Sequence, residues 1–172
     1  MIEEFKDENS WLSNMYPFEE PFITMGFSYR TNEHFYVAMK ATDIETRKQV
    51  TEIISPYEVR KFGKTFTVRG NWNESRLSFM LGGLRYKFSR YNPILRQKLI
   101  DTGDQYLQEG NTWGDSFWGY CFIDEFGHNY LGKLLMMVRS EIQTLDNLQS
   151  ISTIDIPAEY TKLVNENFWE LM

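Results

Sequence analysis

Thr31-Asn32-Glu33-His34-Phe35-Tyr36-Val37-Ala38-Met39-Lys40 reads as the opening turns of a helix, entered from a hairpin-like segment around Gly26. Thr31 or Asn32 is the expected N-cap, because a short polar side chain there can accept a hydrogen bond from an otherwise unpaired helix N–H. Residues seven apart lie nearly on one helix face, so Glu33 and Lys40 point the same way with Tyr36 and Val37 between them. At about 1.5 Å of rise per residue their charges are separated by roughly 10 Å. A carboxylate and an amine on an otherwise apolar face are either a reactive pair or two ordinary surface devices. In the second case Glu33 complements the helix dipole and Lys40 snorkels to water. His34 lies about 100° around the helix from Glu33 and reads as a buried, hydrogen-bonded histidine.

The rest of the chain punctuates itself. Upstream, Phe5 to Tyr16 alternates polar and aromatic residues and stops at Asn14-Met15-Tyr16-Pro17, and a short hairpin is predicted from Phe22–Met25 and Phe27–Tyr29. Downstream, a helix is expected over Asp43–Ile54 with Ile44, Val50, Ile53 and Ile54 as its apolar positions. Ser55-Pro56-Tyr57-Glu58 is a helix start with Ser as N-cap, Pro at the first helical position and Glu closing a capping box, and Gly63 ends that helix. Thr65–Gly70 reads as a strand or extended loop.

Leu77, Met80, Leu81, Leu84 and Phe88 keep helical spacing up to Arg90, interrupted by Gly82-Gly83, a pair that marks close helix packing. Asn92-Pro93 opens another helix, which ends at Gly103. Gly110 to Asn129 is irregular, with Gly110, Gly114, Gly119, Trp113 and Trp118 around Asp115. Such a segment is either a loop shaped for function or an aromatic-pinned surface loop in which Asp115 is a local cap. Leu131–Leu145 is strongly apolar, with Leu134, Leu135, Val138 and Ile142 as its buried stripe. Gln149–Ile156 reads as a linker and Pro157 as the start of a C-terminal amphipathic helix.

Composition narrows the classes. The 172 residues suit one domain with a real core, at 42% hydrophobic and 24% charged residues. No apolar run is long enough for a membrane helix, and Met1-Ile2-Glu3-Glu4 has no basic stretch of the kind that opens a secretory signal. A single cysteine, Cys121, permits no internal disulfide, and a cytoplasmic protein is the expectation. Two histidines and one cysteine give no structural zinc site, so neither a metal nor a cofactor is expected. The net charge of −6 disfavours polyanions overall. Arg85, Lys87, Arg90, Arg96 and Lys98 form either a local basic patch or a solvated helix face. Aromatic residues at 16% indicate a dense aromatic core or a pocket that stacks on flat ligands.

Six separated motifs then agree in order. They are Trp11-Leu12-Ser13-Asn14; Glu33-His34 with Ala38 and Lys40; Arg69-x-Asn71-Trp72; Met80 with Lys87-Phe88; Asp115-x-x-Trp118-Gly119; and Gly127-x-Asn129-x-Leu131-Gly132 running on through Leu134-Leu135-Met136 to Arg139. In these the chain resembles the NADAR (YbiA-like) family of N-glycosidases, from about Phe5 to Arg139. Trp11 and Met15 stand where the family more often has phenylalanine, and Cys121 where it has a small residue.

The resemblance implies a mainly α (α+β) single-domain fold of roughly six to eight helices with a small N-terminal hairpin. It places the N-glycosidase domain at 1–145, followed by a tail at 146–172. It also implies cleavage of the bond between ribose C1 and an exocyclic base nitrogen. The substrate would be ADP-ribose on guanine in nucleic acid or, alternatively, the ribosylamino-pyrimidine intermediates of riboflavin synthesis. A third alternative is a non-catalytic binder of ADP-ribose or nucleotides. Glu33, Lys40 and Asp115 are the expected catalytic residues. Ser13, Asn14, Tyr36, Trp72, Trp118, Gly119 and Asn129 are the expected substrate-binding residues. Either Glu33 and Asp115 act as a carboxyl pair with water, or Lys40 attacks the ring-opened C1 as an amine.

Overall fold

A computed structural model of the chain describes residues 1–151. The expected helix from Pro157 therefore lies outside the described residues. A 3₁₀ helix, Asp7–Leu12, replaces the alternating segment at the N-terminus. The hairpin is longer than its apolar pattern suggests: β1 spans Pro17–Thr24 and β2 spans Phe27–Thr31, paired antiparallel with an irregular register between Pro17 and Phe22. Its turn is Met25-Gly26, both at positive φ (52° and 78°), the geometry that matches the twist of a two-residue hairpin.

Thr31 is the N-cap of α1, Asn32–Lys40, and its side chain accepts from the His34 N–H. The next helices are α2, Ile44–Glu52, capped by Asp43, and α3, Pro56–Phe62, capped by Ser55 with Pro56 in the first turn. Only half of the α3 capping box forms, because Glu58 turns its carboxylate to Lys61 at 2.8 Å. Ile44 and Ile54 are exposed, so α2 rests on Val50 and not on the full stripe its sequence offers. Thr65–Gly70 is not a strand; it is turn and irregular chain.

Helix α4, Trp72–Lys87, crosses α1 at Gly83, where a Cβ would land on the Asn32 side-chain oxygen. The glycine pair is thus a helix-packing device. Helix α5 is Pro93–Asp101, and β3, Gly110–Asn111, and β4, Tyr120–Cys121, form a minimal parallel bridge within the irregular segment. Helix α6 runs unbroken from Tyr130 to Ile151, through residue 145 and into the segment expected to be a linker.

Two apolar clusters hold these elements. The larger contains Trp11, Leu12, Met80, Leu84, Phe88, Leu99, Leu135 and Val138; the smaller contains Tyr29, Phe35, Val37, Met39, Val50 and Val59. Helix α1 contributes to both, Tyr36 to the first and Phe35 and Val37 to the second. Among the described residues, no helix is long and apolar enough to cross a membrane, and no group of three potential metal ligands occurs.

The basic run splits: Arg90 and Lys98 are exposed, whereas Arg85, Lys87 and Arg96 are committed inside the protein. Arg85 makes a two-pronged contact with Glu141, Arg96 pairs with Asp146, and Lys87 is completely buried. Apolar residues flank Lys87 on the helix, and the N-terminal segment folds over it. This is a long-range contact that local spacing does not announce.

Candidate active site

The α1 helix is anchored before it is armed. Asn14 accepts the Glu33 N–H on its backbone carbonyl at 3.0 Å, and its side-chain oxygen accepts from Asn32 at 2.9 Å. The Asn14 amide faces the Met80 sulfur at 3.1 Å. His34 is fully buried between the Thr31 hydroxyl (2.8 Å) and the Ile53 carbonyl (3.0 Å), as its position on the helix suggested. At the other end, Arg47 and Arg69 both donate to the Ala41 carbonyl, and the Arg69 N–H donates to the Lys40 carbonyl. These cations close the negative end of the helix immediately behind Lys40.

Between the two anchors, Glu33 and Lys40 remain uncommitted. Glu33 is 8% exposed, yet its carboxylate makes no hydrogen bond or ion pair with any described residue. Buried carboxylates are ordinarily satisfied, so an unspent one is informative. Burial pushes the Glu33 carboxyl above its usual range; Lys40 and Arg60 oppose the shift and Asp115 adds to it. Burial lowers the Lys40 amine, against the pull of Glu33, and the cations of Arg60 and Lys64 lower it further. The Lys40 Nζ lies 5.3 Å from the Tyr36 ring centre and 5.8 Å from that of Trp72.

Tyr36 joins the helix to the loop. Its ring packs on Trp72 at 4.8 Å and meets Trp118 edge-on at 5.5 Å. Its hydroxyl is held strongly in the neutral form, first by burial and then by the Glu33 charge. Trp72 also stacks on Phe79. The expected aromatic residues therefore form one continuous wall beside Glu33 and Lys40.

Asp115 approaches from the irregular segment, held by buried Asn111, which accepts the Asp115 N–H at 3.1 Å and donates to its carbonyl at 2.9 Å. One Asp115 oxygen accepts the Trp118 N–H at 2.9 Å, so the local-cap reading is correct for that oxygen, while its charge is also felt at Glu33 and Tyr36. Gly119 lies so close to the Glu109 carbonyl that any side chain would collide. The Ser13 hydroxyl accepts from Met15 N–H. Asn129 is buried, with its side-chain oxygen accepting from Glu109 N–H and its amide donating to Tyr106 and Leu107. Asn14 and Asn129 thus spend their side chains inside the protein, positioning α1 and the loop.

Three groups at this site carry no signal in the local sequence. The Lys87 Nζ donates to the Ser13 carbonyl at 2.6 Å from complete burial, which lowers its amine to about 7. Burial and the Asp115 charge raise the Glu109 carboxyl to about 7, and its Oε2 is buried without a partner. Arg60, exposed on α3 and without an ion pair, exerts its charge on Glu33, Lys40 and Glu109.

A buried carboxyl, an amine of lowered basicity and a loop aspartate thus stand around one aromatic wall. The chain belongs to the NADAR domain family, whose model matches residues 2–143. It is 32% identical over 161 residues to a riboflavin biosynthesis protein of Vibrio vulnificus, a match covering 90% of this chain and 42% of that protein. This chain therefore spans well under half of that relative's length. It is 35% identical over 128 residues to an N-glycosidase of Nostoc punctiforme, covering 72% and 80% of the two chains. It is 31% identical over 124 residues to the N-glycosidase YbiA of Escherichia coli, covering 71% and 76%. The NMR structure of the E. coli protein YbiA superimposes with a TM-score of 0.71 at 26% identity, covering 86% of this chain and 89% of that one. The mainly helical α+β fold expected from the motifs is the fold observed.

Proposed function

We propose that this NADAR chain hydrolyses the bond between ribose C1 and an exocyclic base nitrogen, and that its substrate is ADP-ribosylated guanine in nucleic acid. N-glycosidase chemistry is the activity class named for its relatives. The observation that carries the reading is the unspent pair on α1: a buried Glu33 without a hydrogen-bond partner, facing an amine shifted toward its neutral form. Polar groups around it are consumed in holding the scaffold, whereas these two are left for a ligand.

Glu33 and Asp115 stabilise positive charge as it develops at C1, and Glu33 orients the attacking water. The aromatic wall of Tyr36, Trp72 and Trp118 takes the base by stacking. Ser13, Asn14, Gly119 and Asn129 shape the site around it. The lowered amine of Lys40 favours a covalent route as well: it adds to the C1=N carbon of the ring-opened sugar, the resulting C1 diamine expels the base amine to leave a Lys40 imine, and water hydrolyses that imine to the sugar aldehyde and the free amine. Borohydride added during turnover traps a ribosylated Lys40 if that route operates; water attack leaves Lys40 unmodified.

A second substrate reading has its own support. Relatives in Vibrio vulnificus and Zea mays are named riboflavin biosynthesis proteins, and of the α4–α5 cations that would meet a duplex Arg85 and Arg96 are held in ion pairs and Lys87 is buried. Phosphate contact over a long duplex needs free cations, whereas a flipped base or a small ribosylamine does not. The test compares kcat/KM for ADP-ribosylated guanine DNA and for the ribosylamino-pyrimidine. Preference for the DNA supports the first reading and preference for the pyrimidine the second. Binding without release of free base from either substrate means that the chain is a binding protein.

A further inference from the structure

Cleavage of a bond to an exocyclic nitrogen needs a proton donor as much as a carboxylate, because an unprotonated amide-like nitrogen is a poor leaving group. Asp115 already commits one of its oxygens to the Trp118 N–H, where it caps the loop. Glu109 is placed differently. Its backbone is fixed on both sides, the N–H by Asn129 at 3.0 Å and the carbonyl by Tyr120 at 2.9 Å. It packs against Gly119, beside Trp118, whose ring touches the Tyr36 that lies between Glu33 and Lys40. The Asn111 clamp closes the loop that joins Glu109 to Asp115. On the opposite side, Lys87 holds the Ser13 carbonyl, and the next carbonyl, that of Asn14, holds the Glu33 N–H.

Glu109 is therefore bracketed by the segments that build the site, yet its carboxyl bonds to none of them, and its Oε2 is buried with no partner. A buried unpartnered carboxyl oxygen is costly to keep and calls for an explanation. Four charged groups face it: Asp115 from the loop, Lys87 from α4, Arg60 from α3 and Glu4 from the N-terminal segment. Burial and the two acids favour its protonated form; the two cations oppose them.

We propose that Glu109 is a catalytic acid of this site, giving its proton to the base nitrogen as the bond to C1 breaks, with Lys87 behind it as the positioning charge. The inference rests on the N-glycosidase reading above. In the water route the C1–N bond breaks with its electron pair going to nitrogen, and the Glu109 proton completes the amine. Water adds its oxygen to C1 and gives a proton to the Glu33 carboxylate. The products are free base and ribose with a hydroxyl at C1. Glu109 is left ionised and Glu33 protonated, and exchange with solvent restores both.

The test is the pH profile of kcat/KM for Glu109→Gln and Lys87→Met on whichever ribosylated amine the wild-type chain cleaves, with thermal unfolding as the control for folding. Wild type should lose activity as pH rises through about 7. Glu109→Gln should lose about 100-fold or more at its optimum and no longer show that limb. Lys87→Met should move the limb only slightly to higher pH, because the Lys87 cation that favours ionised Glu109 is itself discharged through about 7. A folded Glu109→Gln within threefold of wild type overturns the proposal, as does one that is slower but retains the limb. If Glu109→Gln does not fold, Glu109→Asp, which draws the carboxyl back by one methylene, decides: kcat/KM within threefold of wild type overturns the proposal. Wild type that releases no base from either substrate overturns the N-glycosidase reading itself; wild-type turnover with an insensitive Glu109 overturns only this one.

Discussion

Lys87→Met should make the folded chain more stable at pH 7 and lose that gain at pH 10. Burial lowers the Lys87 amine from 10.5 to about 7. The sign follows from proton counting. Between pH 7 and 10.5 the unfolded lysine holds a proton that the folded one has released, so stability rises with pH across that window and falls as pH drops through about 7. At 1.36 kcal/mol per pKa unit, suppressing the charge costs the native state about 4 kcal/mol at pH 7 and about 1 kcal/mol at pH 10. Methionine removes that cost at similar length and flexibility. It also removes the hydrogen bond to the Ser13 carbonyl, which offsets roughly 1–3 kcal/mol at either pH. The net effect is a gain of about 1–3 kcal/mol at pH 7 and a loss of about 0–2 kcal/mol at pH 10. Urea unfolding of both proteins at the two pH values measures it. The difference between the two conditions, about 3 kcal/mol, is independent of the hydrogen-bond figure. Equal stability changes at both pH values would show that Lys87 keeps its charge in the fold, and the argument would fail.

Three further perturbations test the scaffold and the chemistry. Gly83→Ala drives a methyl into the Asn32 side chain, and thermal unfolding should show a loss of about 3 kcal/mol or failure to fold. Thr31→Ala removes the α1 N-cap and one partner of His34, and a loss of about 1–2 kcal/mol in denaturant unfolding is expected. Glu33→Gln should lower kcat by about 100-fold to 10,000-fold on the cleaved substrate. Glu33 is raised in the fold, so its contribution to stability is complete at low pH and lost as pH rises through its folded value. Glu33→Gln should therefore gain on wild type in unfolding assays as pH is raised, while losing activity.

What the sequence disclosed and what it hid differ in physical kind. Thr31 and Ser55 cap their helices because a cap is a bargain struck within three residues, and those residues are adjacent in the chain. His34 was legible because rotation about one helix decides whether it faces Phe35's side or the solvent. Gly82-Gly83 announced close packing without saying that Asn32 was the neighbour. The grouping of Glu33, Lys40 and Asp115 needed the ordered set of motifs, since no local rule joins α1 to a loop so far along the chain. Lys87 stands in that set beside Phe88, but the set does not show that it is buried.

Its own neighbours, Tyr86 and Phe88, fit either an exposed amphipathic turn or a buried one. The Ser13 carbonyl that decides between them is 74 residues away. Glu109 sits between Gln108 and Gly110 in irregular chain, where there is no period to break. Whether it is charged depends on Asp115, Lys87, Arg60 and Glu4, which come from four different parts of the sequence. A pKa is set by solvent exclusion and by charges converging in space, so titration is the property least recoverable from residue order. A proton donor built from an ordinary glutamate is accordingly the part of such a site that only the folded chain reveals.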